Sequence, residues 1–290
     1  MTNEAPPTLD DAKLKSFVLQ YSDLSFEKII GSGANGDVYI GTHIPSKKRV
    51  AIKKLHDSET ITQNDLPFRR EIYTLSVIKN PFLLPFVGFT KTSPFCIVTK
   101  FIPGGSLYSN LRKEIEEEDT KKIKISIKSK SKTSTNFLNP TDLSIIGLCI
   151  AKGMKYLHKI NIIHRDLKTQ NILLDEKKLP VICDFGTSRQ FDILSNSRPA
   201  MTGQCGTPNY MAPEFIKNES YDQSVDVYSY GVILWEMLTR ETPYGGKDAP
   251  QVIYMILSNK MLEIPEDTPE NLKKLILSCW SIDPSHRPTF

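Results

Sequence analysis

The sequence predicts an α+β protein in two unequal lobes: a small antiparallel β lobe with one main helix, then a larger, mainly α-helical lobe. Three observations point there. Short β-branched and aromatic runs broken by glycines fill Ser25 to Leu55, one apolar stripe at helical spacing follows, and beyond Pro140 helical periodicity dominates. A length of 290 residues, at about 150 per domain, fits two domains or one two-lobed unit.

Taken in order, residues 1–21 read as a tail, interrupted by Pro6 and Pro7, with apolar area only at Phe17, Val18 and Leu19. The runs Phe26 to Ile30, Val38 to Ile40 and Arg49 to Lys54 are separated by Gly31, Gly33, Gly36, Gly41 and Pro45, which predicts an antiparallel meander. Phe68, Ile72 and Leu75 recur at intervals of four and three, and Asn80-Pro81 ends that helix. Strands are expected at Leu83 to Phe89 and Phe95 to Phe101, before a turn at Pro103-Gly104-Gly105. The lobes are accordingly divided as 22–102 and 103–290. An insertion spans about 112–139, with acids from Glu114 to Asp119 and then lysines alternating with Ile and Ser. Its alternation Ile123, Ile125, Ile127 suits an edge strand, but charge blocks bury too little to offset their ordering entropy, and a mobile insertion is the better expectation. Thr141 is the expected N-cap of the next helix, whose face is Leu143, Ile146, Ile150, Met154 and Leu157. Short strands at Ile172 to Leu174 and Val181 to Cys183 precede mostly helical sequence.

Composition narrows the function classes. The formal net charge is +4, but Lys121 to Lys132 holds six of the 37 basic residues and no acid, leaving 31 against 33 acids elsewhere. The basicity is local, so no nucleic-acid-binding face is expected. The first residues lack a basic start and an apolar stretch, and no uncharged run reaches the ~18 residues of a membrane span, so a soluble, cytoplasmic protein without a transmembrane segment is expected. Five cysteines, Cys96, Cys149, Cys183, Cys205 and Cys279, are odd in number and widely spaced, which fits free thiols in a reducing compartment.

Chemistry is concentrated in five motifs. Gly31-Ser32-Gly33-Ala-Asn-Gly36-Asp-Val38 lets a backbone fold closely over a polyphosphate. A dinucleotide-binding reading needs a helix right after the last glycine, whereas Asp37 to Gly41 is strand-like, so the loop joins two strands. Lys53 closes the run Val50-Ala51-Ile-Lys53, a costly place for an ammonium without a partner. Glu71, on the face of Leu75, could be that partner, and two separately solvated charges is the other reading. His164-Arg165-Asp166-Leu-Lys168-Thr-Gln-Asn171 is far more specific: six defined residues at on the order of 5% usage each give a chance match of about 10⁻⁸ per position. Asp184-Phe185-Gly186 puts a potential metal ligand after a buried strand, and Ala212-Pro213-Glu214 follows.

In that order the five motifs resemble a eukaryotic protein kinase catalytic domain from about Leu24 to Phe290, which implies the bilobal protein kinase fold. Lys168, Gly206-Thr207-Pro208 and Tyr210-Met211-Ala212-Pro213-Glu214 resemble the serine/threonine type. Asp226-Val-Tyr-Ser-Tyr-Gly231-Val-Ile-Leu-Trp235-Glu-Met is similar to the tyrosine-kinase-like group. The resemblance implies ATP and Mg²⁺ as cofactors and protein serine or threonine hydroxyls as acceptors. It implies that Gly31, Ser32, Gly33 and Gly36 cover the phosphates, that Lys53 holds them with Glu71 as its orienter, and that Asn171 and Asp184 ligate Mg²⁺. Asp166 would accept the hydroxyl proton and Lys168 would neutralise the γ-phosphate. Thr99 would guard the adenine pocket, Lys100 and Ile102 would offer backbone bonds, and Val38, Ala51 and Leu173 would sandwich the ring, with Ser106 also at the nucleotide. Leu75, Phe86, His164 and Phe185 would stack as a spine, and Glu214 with Arg287 would form a buried supporting pair. Arg165 would wait, unpaired, for an activating phosphate, with Thr202 the favoured site and Thr207 a structural hydroxyl.

Two departures stand out. The 112–139 insertion exceeds the expected compact turn and is a possible regulatory docking element. The sequence stops at His286-Arg287-Pro-Thr-Phe290, where kinases continue into a closing helix, so exposed apolar surface on the lower lobe is expected. Cys183 reads as pocket lining or, less simply, a reactive thiol; His43, His56 and His158 show no partner pattern and read as ordinary surface or packing residues. A catalytically silent scaffold of the same fold is disfavoured by the presence of Lys53, Glu71, Asp166, Asn171 and Asp184, and a small-molecule phosphotransferase by the motif ending at Glu214.

Overall fold

A computed structural model describes residues 9, 12–33, 36–56, 66–113, 138–190 and 208–290, with the backbone alone at 189–190. The small lobe is built on β1 (Val18–Leu19), β2 (Leu24–Gly33), β3 (Gly36–His43), β4 (Lys48–Lys54), helix α1 (Leu66–Val77), β5 (Phe86–Thr90) and β6 (Cys96–Lys100). The strands form one six-stranded sheet in the order β1-β5-β6-β4-β3-β2. All pairings are antiparallel except β1 with β5. Phe68, Ile72 and Leu75 are the buried face of α1, as their spacing predicts.

Two details of this lobe differ from expectation. The strand expected from Leu83 starts at Phe86, because Pro85 has no N–H to give a ladder. Leu83 instead bridges in parallel to Ile182 of the other lobe. Before residue 22 the chain is packed beyond the Phe17–Leu19 patch: Leu9 and Leu14 are buried, and Val18 and Leu19 pair with Phe89 and Thr90. The Phe17 ring lies 5.0 Å from that of Phe86. Isolated leucines in a polar segment carry no periodic signal, so this docking was not legible beforehand.

The second lobe starts with α2, helical over 107–113, and continues with α3 (Pro140–Lys159), β7 (Ile162–Ile163), β8 (Ile172–Leu174), β9 (Pro180–Ile182) and β10 (Arg189–Gln190). Then come α4 (Pro213–Ile216), α5 (Ser224–Thr239), α6 (Ala249–Leu257) and α7 (Glu270–Cys279). The N-cap of α3 is Asn139, not Thr141: its side chain accepts from the Asp142 N–H while Asp142 accepts from the Asn139 N–H. Pro140 explains the shift, since proline is preorganised for the first helical position and the cap must precede it. The expected insertion is narrower at both ends. Arg112 belongs to α2 and Leu138 is buried, while the segment 114–137, including Ile123, Ile125 and Ile127, lies outside the described residues.

Helix α5 is buried from Val225 to Met237 and runs through the centre of the lobe. Tyr230 on it donates to the Gly147 carbonyl of α3 at 3.0 Å, and Gly231 brings α7 so close that a Cβ there would sit 2.8 Å from that of Cys279. The expected pair Glu214 and Arg287 forms a buried two-bond bridge at 2.6 and 2.9 Å. Leu148, Leu277 and Ile282 are among the exposed apolar residues of this lobe.

The docking of β1 has a direct test. A Cβ on Gly88 would lie 2.4 Å from the Phe17 carbonyl oxygen and 2.7 Å from Leu19 Cγ. Backbone cannot yield as a flexible side chain can, so Gly88→Val is expected to cost about 1–3 kcal/mol and to expel β1. Thermal melting should fall by several degrees and amide exchange at Val18 and Leu19 should accelerate; unchanged exchange would show that β1 is not seated on β5.

Candidate nucleotide and phosphotransfer site

Strands β2 and β3 form the glycine hairpin, with Gly33 opposite Gly36. Gly36 has φ 146°, and a Cβ there would stand 2.3 Å from the Lys54 carbonyl oxygen, so only glycine fits. A strand and not a helix follows, which settles the two readings of the motif in favour of a flap. Under the flap lies a cavity of about 920 Å³ between the lobes. Gly31, Ser32, Gly33 and Gly36 line it from above, and Val38, Ala51 and Lys53 from the sheet. Thr99, Lys100, Ile102 and Ser106 line its back edge, and Leu173, Asn171 and Asp184 its floor, with Glu71 at the inner end. Ile30, Leu84, Phe101 and Gln170 are lining residues that motif reading passed over.

The strand register determines which side chains face the cavity. Val38 lies opposite Lys53 and Ala51 opposite Thr99, so alternate residues of three strands share one face. From β4, Lys53 Nζ reaches both Glu71 carboxylate oxygens on α1, at 2.9 and 2.8 Å. Burial pulls the lysine pKa down, but Glu71 and Asp184 outweigh it and hold the ammonium above its ordinary value. The alternative of two separately solvated charges is excluded by this geometry.

Two lining residues have prior engagements. The Lys100 N–H donates to the Pro85 carbonyl at 2.9 Å, which narrows its offer to the carbonyl oxygen. Ser106 caps α2, accepting from the Ser109 N–H at 3.1 Å.

The loop from His164 to Asn171 hangs from α5. Asp226, fully buried, accepts from the backbone N–H groups of His164 and Arg165 at 2.9 Å each. Its Oδ2 also lies 2.9 Å from His158 Nε2, so His158, expected to be an ordinary packing residue, braces the loop. Burial pushes the Asp226 pKa up, yet His158, His164 and the backbone donors outweigh that and leave it below the usual value. Asp226 was legible as a likeness of sequence but not as a brace; the available signal was an acid within a mostly apolar helical run.

Within the loop, Lys168 Nζ is 2.8 Å from Asp166 Oδ2. Asn171 Nδ2 donates to the same oxygen and to the Asp166 carbonyl, both at 2.9 Å. Asn171 thus spends its amide hydrogens on Asp166, which leaves its Oδ1 as the atom to meet a cation. Asp184 adopts φ 63° and Arg165 φ 67°, the left-handed region that non-glycine residues enter chiefly where tertiary contacts impose it. Phe185 is buried with its ring 5.4 Å from that of His164. Leu75 is buried in the same core, with Phe86 packed against it. Cys183 lines the cavity and donates to the Asn171 carbonyl at 3.3 Å, and burial raises its thiol pKa, which disfavours the thiolate.

Arg165 is engaged more than expected. Its Nε donates to the Thr187 carbonyl at 2.6 Å, Nη2 bonds the same oxygen, and Nη1 donates to the Tyr221 hydroxyl at 3.2 Å. All three are bonds to neutral oxygens. Thr202, Cys205 and Thr207 lie outside the described residues.

Comparison with known proteins agrees with this geometry. A probable serine/threonine-protein kinase of Dictyostelium discoideum is 35% identical over 98% of this chain and 29% of its own length. A dual specificity protein kinase of the same organism is 35% identical over 97% of the chain and 41% of its length. A serine/threonine-protein kinase of Arabidopsis thaliana is 34% identical over 94% and 44%. The chain therefore spans less than half the length of these relatives. With residues 24–290 matching the family model for protein tyrosine and serine/threonine kinases, this chain belongs to that protein kinase family.

Proposed function

We propose that the chain is an ATP- and Mg²⁺-dependent protein serine/threonine kinase that acts in cytoplasmic signalling. The observation that carries this reading is the cavity lined by the closed Lys53–Glu71 pair, Asp184 and Asn171, with Asn171 bonded to Asp166 and Asp166 paired with Lys168.

Each group has a defined task in this reading. The glycine flap excludes water and gives backbone N–H groups to the phosphates, while Lys53, held by Glu71, neutralises them. Mg²⁺ bound at Asp184 and Asn171 Oδ1 would supply further charge neutralisation; one carboxylate and one amide oxygen suit a cation that shares its shell with phosphate and water. Asp166 accepts the proton of the attacking serine or threonine hydroxyl. The new bond joins that oxygen to the γ-phosphorus as the bridging P–O bond to ADP breaks, and Lys168 stabilises the charge on the transferred group.

Acceptor specificity follows Lys168 and the 206–214 segment, although one relative is named a dual specificity kinase. Among the described residues no helix is long and apolar enough to cross a membrane. The insertion between the ends of α2 and α3 is where a regulatory protein partner would dock. Control falls to a phosphate on Thr202 meeting Arg165; Arg70, whose pKa is lowered by burial and by the like charge of Arg165, would add a second positive charge.

Incubation with ATP, Mg²⁺ and a generic basic protein, with phosphate located by mass spectrometry, tests the reading. Phosphoserine and phosphothreonine are expected, and phosphotyrosine would move the chain to dual specificity. Lys53→Met and Asp166→Asn should each lower kcat by about 10² or more while melting shifts little, since both act on charge in the transition state. Retention of more than about a tenth of wild-type kcat by either would remove its assigned role. Thr202→Ala should lower kcat after preincubation with ATP; equal activity, with no phosphate elsewhere in 187–207, would mean that the segment is ordered without phosphorylation.

A further inference from the structure

The mechanism above gives no task to the segment before β2, yet that segment is built into the small lobe. Leu9 and Leu14 are buried, in one cluster with Phe68, Ile72 and Leu75, the inner face of α1. After Leu14 a 3₁₀ turn at Lys15–Phe17 delivers the chain to β1, with the Phe17 N–H donating to the Leu14 carbonyl at 2.9 Å. β1 then runs parallel to β5, Val18 opposite Phe89 and Leu19 opposite Thr90. Without β1, β5 would be the edge of the sheet.

Two routes lead from this segment to the nucleotide cavity, although no described residue before Ile30 lines it. One runs through the helix. Leu75 lies four residues beyond Glu71 on the same face, so whatever fixes the packing of Leu75 fixes where Glu71 meets Lys53. The other runs through the sheet: the Phe17 ring is 5.0 Å from that of Phe86, Phe86 is opposite Thr99 in the β5–β6 register, and Thr99 lines the cavity. α1 itself also contacts β5. Burial of Leu9 and Leu14 therefore favours the placement of α1 that keeps their cluster closed, and in that placement the Lys53–Glu71 pair is closed as well.

We propose that residues 14–19 form a strap that positions α1 for nucleotide binding, with Leu14 and Phe17 as its positioning residues: seated on β5, the strap holds the Lys53–Glu71 pair closed and so sets the apparent affinity for ATP without touching ATP. The proposal rests on the kinase reading above. A site that is competent for only a fraction of the time binds with its affinity lowered by that fraction, so a pair closed about a tenth of the time costs roughly tenfold, and saturating ATP restores the closed state.

Two variants displace the strap from opposite sides. Leu14→Asp puts a charge where a leucine is buried, and Gly88→Val fills the surface of β5 against the Phe17 carbonyl oxygen and Leu19. In the full chain with Mg²⁺ and myelin basic protein as acceptor, each should raise the ATP KM roughly tenfold, with kcat at saturating ATP and the acceptor KM within about twofold of wild type. The double variant should be little worse than the poorer single, because a strap is displaced only once. Leu14→Met, which refills the site, should behave as wild type. Ile256→Ala, in the separate Tyr244, Val252 and Ile256 cluster of the large lobe, should lower the melting temperature and leave the ATP KM unchanged. Amide exchange over residues 68–75 should accelerate in both strap variants, a readout that needs no catalysis. If Leu14→Asp does not fold, Leu14→Ala replaces it in the same cycle. Failure of the wild type to transfer phosphate would overturn the kinase reading and leave exchange at α1 to decide for or against the strap. Unchanged exchange at α1, an unchanged ATP KM, multiplicative losses in the double variant, or an equal rise in ATP KM for Ile256→Ala would each overturn the strap while leaving the kinase reading standing.

Discussion

Two carboxylates buried in one helix keep the lower lobe's chemistry in register. Asp226 in the first turn of α5 and Glu236 near its end are both without solvent exposure, ten residues or about 15 Å apart along the axis. Asp226 takes the backbone of His164 and Arg165, while Glu236 takes the hydroxyls of Thr169 and Tyr210. A loop with little regular structure is thereby suspended at two points from a helix buried from Val225 to Met237. Each anion also benefits from local donors, and Asp226 stands at the end of the helix where the dipole favours negative charge.

Within the upper lobe one charged contact ties the sheet to its helix. Lys53 is on a central strand and Glu71 on the helix that packs against the sheet, so their bond reports the position of that helix relative to the cavity. Buried ion pairs of this kind add little net stability, because desolvation offsets the attraction. Their effect is on geometry: only one placement of α1 leaves both charges satisfied. The packed segment before β2, with Phe17 against Phe86 and β1 on the edge of β5, stiffens the same sheet from its other side.

Much of the site was legible residue by residue. The glycine hairpin, Lys53, Glu71 and the loop from Asp166 to Asn171 are short motifs in which spacing along the chain already encodes geometry. Boundaries were less legible where two local signals competed. Thr141 is a good capping residue, but Pro140 moved the cap to Asn139, and Pro85 cut the strand that the apolar run from Leu83 suggested. Ser106 was placed at the nucleotide, and it does line the cavity, yet its hydroxyl is engaged in capping α2. His158 looked partnerless because Asp226 is 68 positions away.

By itself, then, the amino-acid sequence determined the α+β character, the two lobes and those cavity-facing groups that belong to motifs, while Ile30, Leu84, Phe101 and Gln170 escaped it. Those properties follow from periodicity and from motifs whose members lie within a few residues of one another. Tertiary structure alone decided how the loop from His164 to Asn171 is held, which arginine supports which anion, and that Leu9 and Leu14 belong to the core. Such contacts join residues 60 to 130 positions apart, such as Arg165 to Asp226 and Arg112 to Thr242, and no local pattern records them. The partner of a buried charge is chosen by packing, because a carboxylate that has lost its water must be answered by whatever donors the folded chain brings within 3 Å.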